Sequence, residues 1–152
     1  QYADALEKVR VDNNLPARTT SGGWGGVAEK LGVSYSFVSS TDTTHDKQWW
    51  IDNVQPKLQG GESVMMSIGG HIVRVEAVAT DGLKVDDPYG KCKLKAGTGS
   101  AGRKWEEYNG GGYSTGYKPG VIDETTHAGE DVVWPWADVE VHQMKWIASF
   151  SK

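Results

Sequence analysis

Cysteine occurs once in the 152 residues, at Cys92, so no disulfide framework can form within the chain. No Cys/His cluster at ligand spacing and no H-E-x-x-H are present, which excludes the familiar zinc sites; the expectation is no metal and no cofactor. His45, His127 and His142 lack partners at metal spacing and read as surface or loop histidines. Lys and Arg are scattered, the net charge is -4, and no basic stripe tracks phosphates, so nucleic acid and strongly anionic substrates are not expected partners. No apolar run approaches the roughly 18 residues that cross a bilayer, so no membrane span is expected. Residues 1–10 form a mixed-charge helical stretch instead of a signal peptide.

Glycine and tryptophan, by contrast, are abundant: 20 Gly, many of them within residues 97–129, and seven Trp. That combination suggests long loops around aromatic anchors, a common place for binding sites, and equally Trp side chains filling the core of a loop-rich domain. The length fits one domain, spanning residues 1–152.

Ala3, Leu6 and Val9 recur at helical spacing and the pattern stops before Pro16, which predicts a helix over residues 2–13. No capping residue precedes it, so the natural chain is expected to begin earlier. GWGGVAEKLGV predicts a second helix closed by Gly32, VSYSFVS a strand, and residues 44–58 a third helix with Trp49, Trp50 and Val54 on one side and Pro56 limiting it. The period then changes. SVMMSI, HIVRVEAVA and LKVDD read as strands, and residues 139–150 as a closing strand.

With residues 80–82 as a three-residue hairpin loop and Gly82 left-handed, Val73, Val75, Leu83 and Val85 share one face with His71 and Asp87. Arg74, Glu76, Lys84 and Asp86 take the other. An imidazole acting as general base needs a carboxylate or amide on its second nitrogen, and adjacent strands hold such a pair firmly. The alternative is a strand-end core histidine and a turn aspartate. In this simple register Asp87 lies opposite Val75, about 13 Å along the strand from position 71, so a bulge or strong twist must close the gap.

The run ESVMMSIGGHIVRVEAVATDGLKVDDPYG resembles the second half of papain-like cysteine peptidases of the double-glycine (bacteriocin-processing) peptidase-like branch, which includes phage and bacterial cell-wall hydrolases such as endolysins. In that family a strand leads to Gly-His, a hydrophobic strand follows, and a hairpin returns to Asp-Pro. The resemblance implies His71 as the base and Asp87, not Asp86, as the orienting acid. YADALEKV looks like the body of the helix whose N-terminus bears the family's nucleophilic cysteine, where the helix dipole stabilises a thiolate. No cysteine stands near that helix here, so the resemblance places the nucleophile a few residues before Gln1, or else makes the domain a pseudoenzyme. A CHAP-type amidase shares this logic, but DPYG favours the peptidase-like branch.

Cys92, in the alternating stretch KCKLK, follows the His and Asp in sequence, lacks a helix N-terminus and reads as an incidental thiol. GTGSAG at residues 97–102 matches G-x-G-x-x-G but lacks the strand before and the helix after that a dinucleotide site requires.

The expected fold is α+β, papain-like, with N-terminal helices packed on an antiparallel sheet. The expected function is a cysteine-dependent peptidase or amidase acting on peptidoglycan, secreted or delivered to the cell envelope. Trp24, Tyr89, Trp105 and Trp134 are the candidate substrate-binding residues. The alternative is a non-catalytic peptide- or glycan-binding pseudoenzyme with an aromatic-lined cleft.

Overall fold

A computed structural model describes residues 2–18, 20–68, 72–87, 92–94, 105–107 and 130–152, and divides the chain into two compact units, Gln1–Ser36 with Phe150–Lys152, and Phe37–Ser149. It is a mixed α+β structure of helices and antiparallel sheet.

The first unit holds helices α1 (Tyr2–Asp12) and α2 (Ser21–Lys30). α1 ends where Asn14 turns left-handed (φ 51°), and Arg10 closes the end by pairing with Glu7 at 2.6 Å and donating to the Leu15 carbonyl at 2.9 Å. α2 is glycine-rich and begins on Thr20, whose hydroxyl accepts the Gly23 N–H at 3.2 Å. Its glycines permit close approach: a Cβ on Gly25 would stand 2.5 Å from the Tyr35 ring, and the same ring meets Trp24 at 5.1 Å between centroids. Phe150 completes this cluster, 5.5 Å from Trp24. Gly32, at φ +75°, ends the helix as its position in the sequence predicts.

Among the described residues a six-stranded sheet has the order β1-β8-β2-β3-β4-β7, with β1 at Ser34–Ser39 and β8 at Trp146–Ser151. Strands β2 (Ser63–Ser67), β3 (Ile72–Val78), β4 (Gly82–Asp86) and β7 (Val132–Pro135) pair antiparallel in succession. β5 (Cys92–Leu94) and β6 (Trp105–Glu107) form a separate two-stranded ribbon. Alternate residues Val64, Met66, Val73, Val75, Leu83 and Val85 enter one core with Trp50 and Val54.

The predicted third helix is two: α3 (Lys47–Asn53) and α4 (Gln55–Gln59). Asp46 caps α3 by accepting the Trp49 N–H at 2.8 Å. Pro56 sits in the first turn of α4, where its missing N–H costs nothing, and its ring is incompatible with an uninterrupted helix through Asp52.

Two expectations are corrected. Gly82 is not left-handed; it is the glycine that lets β7 approach, because a Cβ there would lie 2.0 Å from the Trp134 carbonyl oxygen. The closing strand is only β8: residues 136–139 form helix α5 (Trp136–Val139), and Glu140 and His142 spend their N–H groups on the carbonyls of Trp136 and Val139. Of the apolar residues that suggested a strand, Val139 reaches the core from this turn, and Met144 reaches it from an isolated antiparallel bridge to Thr43.

Candidate functional site

The candidate site lies where β3 begins and β4 ends. Near the turn, Ala79 donates to the Gly82 carbonyl at 2.9 Å, Val78 faces Leu83 and Ala77 faces Lys84. Between Ala77 and Val75 the register shifts by one residue, so that beyond Glu76 the pairs are Val75 with Val85 and Arg74 with Asp86. This is a β-bulge in β3, and it changes which residues share a face.

Continued one step beyond the last pair, this register sets Asp87 against Val73, where the simple hairpin register sets it against Val75. Asp87 is 4% exposed, on the face that buries Val73, Val75, Leu83 and Val85. The neighbouring Asp86 has a different role on the opposite face. Its carboxylate accepts from Arg74 Nε at 2.8 Å and from the Asp131 backbone N–H at 3.0 Å, and these interactions hold it below the ordinary carboxylate range against the opposing effect of desolvation. Arg74 also reaches Glu76 at 2.5 Å, and Lys84 pairs with Asp131 at 2.8 Å.

His71 and Tyr89 lie outside the described residues, as does His127. Trp105 lies on β6, opposite Leu94. Cys92 lies on β5, opposite Glu107. Trp24 packs within the first unit against Tyr35 and Phe150. Trp134 is a core residue, 1% exposed, so its ring lines the interior and not a substrate surface.

His45 and His142 lie in loops, as one half of their reading has it, but both are buried, so neither is a surface side chain. His45 stacks on Trp49 with centroids 3.5 Å apart and planes 19° from parallel, and its Nε2 lies 3.1 Å from Ser39 Oγ. Burial lowers its pKa from the ordinary histidine value, opposed by the nearby Asp46 carboxylate. An open cleft of about 400 Å³, lined by His45, Asp46, Trp49, Asp52 and Asn53 among others, borders this stack. Its polar groups are largely spent on the helix: Asp46 caps it, Gln48 bonds Asp52 at 2.8 Å and Asn53 bonds the Trp49 carbonyl at 2.9 Å. The stack was hidden in the sequence because His45 and Trp49 are four apart across a helix start, where spacing alone does not set their relative orientation.

Among the described residues no group of three or more His, Cys, Asp or Glu side chains is arranged to hold a metal ion, and no helix is long and apolar enough to cross a membrane. No family model, curated protein or solved structure compared with the chain matches it.

Proposed function

We propose that the chain is the His–Asp part of a papain-like, cysteine-dependent amide hydrolase acting on the peptide of bacterial cell-wall peptidoglycan, with His71 as general base and Asp87 as the acid that orients it. The observation that carries this reading is the buried Asp87 at the end of β4, next after Leu83 and Val85 on the inward face, to which the Glu76 bulge also turns Val73 and Val75. A carboxylate removed from water at a strand end, on the same face as an apolar sheet, is costly unless it serves a charged or donating partner, and an imidazole is such a partner. The companion Asp86 is committed to Arg74 and the Asp131 N–H on the opposite face, which leaves Asp87 as the orienting acid.

The nucleophile in this reading is a cysteine outside residues 1–152. Its thiolate attacks the amide carbonyl; the His71 imidazolium gives its proton to the leaving amine, and neutral His71 then takes one from the water that hydrolyses the thioester. Asp87 holds the imidazole in one tautomer and stabilises its charged form. The test is peptidoglycan digestion by a form of the chain extended at its N-terminus to include a cysteine, with free amino groups counted as bonds break. Hydrolysis that disappears in His71→Ala supports the assignment, and turnover unaffected by that substitution overturns it. Tight binding of peptidoglycan fragments with no hydrolysis in any extended form selects the non-catalytic binding reading instead.

A further inference from the structure

The turn at Thr80 and Asp81 sets a register in which residue numbers on β3 and β4 sum to 161: Val78 with Leu83, Ala77 with Lys84. Continued without interruption, that register would set Glu76 opposite Val85 and Arg74 opposite Asp87, turning the charged residues of β3 onto the core face. The extra residue at Glu76 changes the sum to 160 and turns Val75 and Val73 onto the core face, across from Val85 and Asp87, whose own face follows the alternation of β4. Burial of the valines does not by itself choose among registers that differ by two, because each keeps the same residues inside. Charge does. A sum of 158 would oppose Arg74 to Lys84, and a sum of 162 would oppose Glu76 to Asp86, like charges in both cases, whereas 160 sets Arg74 against Asp86.

Arg74 also grips the bulged residue itself, since its guanidinium bonds Asp86 through Nε at 2.8 Å and Glu76 at 2.5 Å. Asp86 is held from the far side by the Asp131 N–H at 3.0 Å, immediately before Asp87 in the chain. We propose that Arg74 is a positioning residue: by joining Glu76 to Asp86 it locks the β3 bulge and so keeps the start of β3, with Val73 and Val75 inward, in the register against Asp87 that the His71–Asp87 pair needs. This rests on the His71–Asp87 reading above, but acts through backbone register and contacts neither the imidazole nor a substrate.

The test is NMR on the isotope-labelled chain, following both the His71 imidazole titration and the cross-strand backbone contacts of Val75 with Val85. Asp87→Asn comes first: loss of a neighbouring carboxylate lowers the His71 pKa, by about one unit or more. Arg74→Glu, which repels both of its partners, then lowers the His71 pKa toward the Asp87→Asn value and displaces the Val75–Val85 contacts. The exchanged pair Arg74→Glu with Asp86→Arg restores both. Where Arg74→Glu does not fold, Arg74→Met carries the same expectation. If Asp87→Asn shifts His71 while neither Arg74 variant moves the titration or the contacts, the positioning role is overturned and the His71–Asp87 reading stands. If Asp87→Asn leaves His71 unmoved, the reading fails, and the proposed positioning of the pair falls with it.

Discussion

The two units hold themselves together differently. In Phe37–Ser149 large apolar side chains from the sheet and from α3 meet in one cluster, with Trp50, Val54, Met66 and Ile147 withdrawn from solvent. In the unit of Gln1–Ser36 and Phe150–Lys152, Leu6, Val11 and Leu31 stay exposed, and order comes from a capped, glycine-rich helix brought close to the Tyr35 ring. Stability in the first case scales with buried apolar volume. In the second it depends more on the absence of side chains at a few positions, so removal of atoms is the main way to damage the sheet unit, where Gly82 beside β7 is the exception, and addition of atoms the main way to damage the helical one.

The largest effect expected is Trp50→Ala, which empties the centre of the sheet unit and costs about 3–5 kcal/mol, measured by chemical denaturation. Gly25→Ala should cost about 1–3 kcal/mol by forcing a methyl group into the Tyr35 ring, and near-ultraviolet dichroism should record the disturbed Trp24–Tyr35–Phe150 cluster. A neutral effect of Gly25→Ala would break the contrast between the units. Thr20→Ala, which removes the cap of α2, should cost about 1 kcal/mol.

His45 sharpens the comparison from the sheet side. Its folded pKa is lowered by burial, so the unfolded chain takes up the proton first as pH falls. The associated stability is fully present above the unfolded value of about 6.5 and is lost as pH falls from there through the folded value. His45→Gln should flatten the dependence of denaturation midpoint on pH across that window. An unaltered slope would show that another group controls it. The smallest effect expected is Lys8→Ala: its ion pair with Asp12 is exposed on α1, and the loss should stay within about 0.5 kcal/mol.

Periodicity made much of this visible in advance. The β-rich runs VMM and VRV identified β2 and β3, the inner face was read for Val73 and Val75, the DDP run located the end of β4, and Gly32 marked the end of α2. The bulge at Glu76 was legible only as a requirement, a gap that something had to close, because it arises from a two-residue turn meeting a pattern of charges across two strands. Gly82 misled for a related reason. A glycine after Thr-Asp serves a turn by its φ, but here it serves a neighbouring strand by its missing Cβ, and that neighbour, β7, lies some fifty residues later in the chain. Val139 and Val141 are strand-forming residues in a local helical turn, so their apolar pattern does not report backbone conformation. Trp134 looks like any surface tryptophan in a loop-rich sequence until β7 is paired to β4 and its ring turns inward.

The central claim is that the buried carboxylate at the end of β4 serves an imidazole in amide hydrolysis. Its most direct test is the rate at which the cysteine-bearing, N-terminally extended form cleaves peptidoglycan when Asp87 is replaced by Asn. The account predicts a fall in kcat of roughly 10²–10⁴-fold with little change in KM, as expected when the group that orients and charges the base is neutralised in place. An Asp87→Asn protein that hydrolyses its substrate at the unaltered rate would contradict it.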